Sequence, residues 1–207
     1  MLAIDYRGFG DSTGGPPTAH TLALDAYAAI KWLEARGVPP GRVLLYGHSL
    51  GTGAAAQVAL RLEAEGSPPF GAVLEAPFYS LRAGALTFPA TLPLLALPGT
   101  HALLMRCFMN GCRTADALAL LPALPVLLLH GDSDTTVPIN HSIALRDMAL
   151  NGPAAHKRTA PFRLEVLHGC DHLHALVYPQ TLLALSTFMR EVAGEVHAAA
   201  KSKRNRK

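Results

Sequence analysis

The stretch VLLYGHSLGTGAAA, residues 43–56, decides how this chain folds. Val43 to Tyr46 show no polar alternation, so the run reads as a strand buried on both faces. Gly47, Ser49 and Gly51 then spell G-x-S-x-G, and a helical pattern runs from Thr52 to Glu65. A strand passing into a helix through so short a turn leaves no room for side chains at the flanking positions, hence the glycines. Such a turn lifts the Ser49 hydroxyl clear of the sheet and leaves it at a helix N-terminus. Ala54, Ala55 and Ala56 keep the start of the helix slim enough to pack close to the turn.

Outward from this stretch the elements alternate. LAID (2–5) reads as a strand and is followed at once by a glycine-rich turn. Thr18 to Arg36 reads as a helix, with Leu22, Ala26, Ile30 and Leu33 at helical spacing. Thr18 is its candidate N-cap, and Gly37, Pro39 and Pro40 end it. GAVLEA (71–76) is a strand, residues 81 to about 120 are irregular, apolar and proline-rich, and PVLLLH (125–130) is a second two-sided strand. A helix over 139–150, a strand over 161–168 and a final helix over 178–192 complete the order. Short apolar strands separated by helices predict an α/β fold with a mostly parallel sheet and flanking helices. Ligands of such sheets bind outside the carboxyl ends of the strands.

Composition narrows the function classes. With 207 residues the chain has length for one domain and a sizeable core. A mean hydropathy of +0.23 argues against disorder before the end of the chain. The net charge of +3 comes from the last seven residues, KSKRNRK, which hold five of the 18 basic groups. The remainder carries 13 basic against 15 acidic side chains, so the body is not a nucleic-acid binder on charge grounds. The tail, residues 196–207, reads as basic and disordered, with anionic lipid, RNA or a targeting receptor as its conceivable contacts. Cys107, Cys112 and Cys170 are too few for a disulfide framework, and a reducing compartment is expected. No signal peptide is recognisable. Residues 83–105 carry no formal charge, yet Pro89, Pro93 and Pro98 interrupt them. They read as an apolar lid or loop and not as a spanning helix.

A serine hydroxyl is a poor nucleophile near neutral pH and needs a base, which in turn needs an orienting carboxylate. Both types follow strand ends. After PVLLLH comes GDSDTTVP, with Asp132 and Asp134, and after RLEVLH comes GCDHLH, which with the strand's last residue offers His168, His172 and His174. GFGDST (8–13) is a poor dinucleotide loop, because Pro16 and Pro17 stand where a helix should begin. No Walker motif, HExxH or EF-hand loop is present, and no cofactor or metal is implied.

DYRGFGDSTG, GHSLGTG, LEAPF, LLHGDSDTTVP and GCDHLH run in the order found in serine α/β-hydrolases. The chain resembles most closely the lipase branch that cleaves monoacylglycerols and lysophosphatidylserine, over about residues 2–192. The resemblance implies the α/β-hydrolase fold over residues 1–195, with the lid-like insertion at about 81–120 and the first strands missing. It implies Ser49 as nucleophile, Asp134 (in D-x-x-V-P) as acid and His172 as base, with His174 as the rival base. Asp132 is then a turn cap, His168 a packed or edge histidine, and His48 and His130 structural. Cys170 is a buried filler, and Arg7 and Asp11 pin the loop beside the site. Leu50 supplies one oxyanion N–H, and the second is expected from a His-Gly loop after an earlier strand, which the sequence does not contain.

The expected activity is therefore hydrolysis of acyl esters of lipids. The competing readings are a weakened or inactive hydrolase-like binding protein and a small-ester esterase or thioesterase. The expected partners are a lipid or small ester and a membrane surface met through the apolar lid or the basic tail. A cytoplasmic setting is expected for the chain as given, and an endoplasmic-reticulum-type membrane association if an anchor precedes it.

Overall fold

Runs of apolar residues without alternation fit only a sheet covered on both faces. In a computed structural model of the chain, which describes residues 1–80, 83–84 and 113–204 and side chains as far as Gly194, they form one parallel sheet. Its strands are β1 (Leu44–His48), β2 (Gly71–Glu75), β3 (Val126–Gly131) and β4 (Phe162–Leu167), in the spatial order β1-β2-β3-β4. The register sets His48 beside Glu75 and Gly131 beside Leu167. All the carboxyl ends therefore lie along one edge.

The sheet divides two cores. Leu45, Ala72, Leu74, Val126 and Leu128 face helices α2 (Leu50–Ala64), α3 (Thr114–Ala119) and α4 (Asn140–Asn151). Small residues let α2 lie close, since Ala54, Ala56 and Ala59 are completely buried. α1 (Ala19–Glu34) packs onto α2. Its N-terminus is closed by a capping box in which Thr18 Oγ1 accepts from Thr21 N (3.1 Å) and Thr21 Oγ1 accepts from Thr18 N (2.7 Å). On the opposite face Val73, Leu127 and Leu129 pack against Phe188 and Val192 of α5 (Pro179–Arg204).

Three expectations are corrected. LAID is not a strand: no described residue pairs with 2–5, and Leu2 and Ile4 are exposed. A strand exists only through its ladder, and β1 is the edge of the sheet among the described residues. The irregular run to about residue 120 ends earlier, because Thr114, Ala115, Ala117 and Leu118 bury one side of α3. The basic stretch read as a disordered tail continues α5 in helical conformation as far as Arg204. Residues 85–105, read as a lid, lie outside the described residues, as do Cys107 and Cys112.

The DYRGFGDSTG segment is held although it pairs with no strand. Arg7 donates through its backbone N (3.0 Å) and its guanidinium to Asp25 of α1. This brings Tyr6 over the turn that carries Ser49, with its hydroxyl 3.6 Å from where a Cβ on Gly51 would stand.

Candidate active site

The turn between β1 and α2 is as tight as its glycines imply. A Cβ on Gly47 would stand 2.5 Å from the Gly51 carbonyl oxygen and 2.8 Å from Thr52 N. Ser49 has φ 49° and ψ −114°, left-handed backbone rarely taken by a residue with a side chain. Hydrogen bonds on both sides hold it there. Ser49 N donates to the Glu75 carbonyl (2.9 Å), and Thr52 Oγ1 donates to the Ser49 carbonyl (2.6 Å). The helix begins at Leu50, two residues before the sequence pattern suggests. The Leu50 N–H thus falls in the first turn, where no helical carbonyl accepts it.

The acid turn follows β3. Asp134 Oδ1 accepts from Thr136 N and Val137 N, both at 2.8 Å, and so its carboxylate is fixed by its own turn. Its Oδ2 faces outward to His172 Nδ1 at 2.7 Å. Burial works to raise this carboxyl's pKa. Hydrogen bonds from His130, His172 and Val137 N outweigh it and hold Asp134 well below the usual carboxylate range. His130 is fully buried behind it. Its Nδ1 contacts Ser142 Oγ (2.7 Å), and its Nε2 lies 2.8 Å from the Val137 carbonyl and 3.4 Å from Asp134 Oδ2.

The base loop follows β4. His172 Nδ1–H donates to Asp134, which leaves Nε2 to accept from Ser49 Oγ at 3.0 Å. The loop rests directly on the end of β3: a Cβ on Gly131 would stand 2.1 Å from the Cys170 carbonyl oxygen. Ser133 N donates to that carbonyl (3.1 Å) and Tyr178 Oη donates to the Gly169 carbonyl (2.9 Å).

The structure therefore brings together Ser49, Asp134 and His172 and sets the other candidates apart. His174 does not reach Ser49; its Nδ1 donates to Asp171 at 2.7 Å on the surface. Of the two expectations for His168, packed or at the edge, the packed one fails, since its side chain is 85% exposed. It lies one residue beyond β4, and its Nδ1 donates to Asp132 Oδ2 at 2.8 Å. Asp132 does not cap its own turn but straps the base loop, because its Oδ1 accepts from Gly169 N at 2.7 Å. The His168 and Gly169 hydrogen bonds hold its carboxyl below the usual range. Cys170 is buried, and burial together with the carboxylates around it pushes its thiol pKa up. Among the described residues no group of side chains is arranged to hold a metal ion. Sequence reasoning missed the Asp132 strap and a contact from His48 to the base loop, since neither has a local signature.

A hydroxyl, an imidazole and a buried carboxylate in line at the carboxyl ends of parallel strands is the arrangement of a nucleophilic hydrolase. The comparisons with known proteins agree with it. A family model described as serine aminopeptidase, S33, matches residues 1–99. The chain is 39% identical to human protein ABHD12B over 158 residues, 73% of this chain and 42% of that protein. It is 32% identical to the lysophosphatidylserine lipase ABHD12 of Danio rerio over 194 residues, 92% of this chain and 50% of that protein. It thus spans about half the length, or less, of these curated relatives. Among solved structures it is similar to an α/β hydrolase from Vibrio vulnificus, with a TM-score of 0.67 at 20% identity over 91% of this chain and 63% of that one. A Pyrococcus furiosus esterase gives 0.63 at 19% identity over 90% of this chain and 67% of that one. The chain belongs to the serine α/β-hydrolase superfamily.

Proposed function

We propose that the chain carries the catalytic triad of a serine ester hydrolase acting on acyl esters of lipids, of the lysophospholipid or monoacylglycerol type. The observation that carries the reading is the continuous line from Ser49 Oγ to His172 Nε2 (3.0 Å) and from His172 Nδ1 to Asp134 Oδ2 (2.7 Å). Ser49 Oγ attacks the ester carbonyl while His172 Nε2 takes its proton. Asp134 stabilises the imidazolium, and the Leu50 N–H donates to the oxyanion. Collapse of the tetrahedral intermediate breaks the acyl–oxygen bond, and His172 returns the proton to the leaving alcohol. Water then attacks the acyl-enzyme by the same route, releasing the fatty acid and restoring Ser49.

The lipid assignment rests on the relatives, several of which are named lysophosphatidylserine lipase. A lipid substrate draws the chain to a membrane surface, and Lys201, Lys203 and Arg204 at the end of α5 suit anionic lipid there. Among the described residues no helix is long and apolar enough to cross a membrane.

A fluorophosphonate probe tests the nucleophile. The wild-type chain is expected to be labelled and Ser49→Ala to lose the label; labelling that persists in Ser49→Ala removes Ser49 from the role. Fatty-acid release from lysophosphatidylserine, monoacylglycerol and a p-nitrophenyl butyrate control then tests the substrate class. Turnover of the butyrate alone refutes the lipid reading.

A further inference from the structure

His48 is the last residue of β1, half-buried and directly before Ser49. Its Nε2 lies 2.8 Å from the backbone carbonyl of His172, 124 residues along the chain. A carbonyl only accepts, so Nε2–H is the donor and the ring carries a proton there. The two imidazoles also lie side by side, with centroids 4.9 Å apart and planes inclined by 47°. The residue before the nucleophile is thus bonded to the backbone of the residue that is the nucleophile's base.

Among the described residues the rest of the base loop is anchored through the acid turn and through Tyr178, just before α5. Asp132 holds Gly169, Ser133 N holds the Cys170 carbonyl, and Tyr178 holds the Gly169 carbonyl. These contacts fix the loop's beginning. None of them sets the height of residue 172 above the nucleophile turn. Among the described residues two contacts span that gap: the side-chain bond between Ser49 Oγ and His172 Nε2, and the His48 contact, which reaches the backbone of residue 172 and so bears on the Ser49 Oγ–His172 Nε2 separation from the Ser49 side.

We infer that His48 is a positioning residue: its Nε2–H, bonded to the His172 carbonyl, registers the base loop against the nucleophile turn. This rests on the proposed roles of Ser49 and His172. Unlike a side chain that merely fills space, it acts through one hydrogen-bond donor. Glutamine carries an Nε2 donor the same number of bonds from Cα, whereas phenylalanine keeps the ring and loses the donor.

The experiment compares wild type, His48→Gln and His48→Phe by three readouts. In fluorophosphonate labelling of the folded chain, His48→Phe is expected to slow at least about 10-fold, since displacements near 1 Å cost on the order of 100-fold. His48→Gln should stay within about 3-fold of wild type, a difference worth well under 1.4 kcal/mol. With p-nitrophenyl butyrate the loss should appear in kcat and leave KM nearly unchanged. Proton NMR supplies a readout independent of activity. The downfield Nδ1 proton of His172, bonded to Asp134, should persist in wild type and His48→Gln and exchange-broaden in His48→Phe. Equal labelling rates, or an unaltered His172 signal in a folded His48→Phe, overturns the inference. If wild type is not labelled at all, the proposed hydrolase activity fails, and the NMR comparison alone then decides whether His48 registers the loop.

Discussion

Ser49 holds a backbone conformation that costs on the order of 1–3 kcal/mol. Its flanking hydrogen bonds, to Glu75 and from Thr52, keep it there and aim Oγ at His172. Asp134 works under the opposite constraint, as a charge in a site with 1% side-chain exposure, kept ionised by three donors converging on it, Thr136 N, Val137 N and His172 Nδ1, with the His130 ring 3.4 Å away. Asparagine at 134 keeps the acceptor for Thr136 and Val137 but turns an NH2 toward His172, favouring the wrong tautomer. Asp134→Asn is therefore expected to fold and to slow fluorophosphonate labelling by about 1,000- to 10,000-fold. The same residue contributes an acid-side stability term. Its folded pKa lies below the unfolded value of about 3.9, so the contribution is complete above that pH and fades as pH falls toward the folded pKa. Melting temperatures between pH 6 and pH 3 should fall more steeply in wild type than in Asp134→Asn. Parallel curves would show that Asp134 carries no such linkage.

At the scale of elements, the site depends on two loops pressed onto strand ends. Gly131 closes β3 with the base loop directly above it, and alanine there meets backbone that cannot yield, the Cys170 carbonyl at 2.1 Å. Gly131→Ala is expected to push the base loop off Asp134, lowering both the melting temperature and Ser49 labelling. Gly194 is the contrasting case: it lies exposed in α5, with nothing within 4 Å of where a Cβ would stand. Gly194→Ala removes backbone freedom from a helix interior and should stabilise by about 0.5–1 kcal/mol, raising the melting temperature by about 1–4 °C with labelling unchanged. Thermal denaturation of the two variants side by side checks both signs. The elements also show where pattern reading stopped. The β3 run was legible because two-sided burial leaves an unbroken apolar signature; β1 carries that signature too, yet its expected two-sided burial is corrected, since Tyr46 is exposed on this edge strand. LAID carries the same signature but forms no ladder, since a strand's hydrogen bonds lie in its neighbours and not in itself.

For the whole molecule the charge is unevenly placed, with five basic residues in the last seven and a body slightly acidic. Sedimentation with phosphatidylserine vesicles should exceed that with phosphatidylcholine vesicles and weaken as salt rises from low ionic strength toward 0.5 M. Replacing Lys201, Lys203, Arg204, Arg206 and Lys207 by serine should abolish the difference, and equal sedimentation with both lipids would remove the basic end as a membrane contact. The sequence by itself determined the α/β class and a short list of reactive side chains. Parallel strands, tight nucleophile turns and ester chemistry each demand particular residue types in a particular order. The family resemblance named Asp134 and His172, but only the tertiary structure decided that this carboxylate reaches His172 and that this histidine reaches Ser49. Asp132 and Asp134 are two residues apart, as are His172 and His174, yet the partners they reach are chosen by loops packed together from 38 and 123 residues away. A hydrogen bond is made or lost within a few tenths of an ångström, and such distances are set by how loops seat on strand ends, which no local spacing encodes.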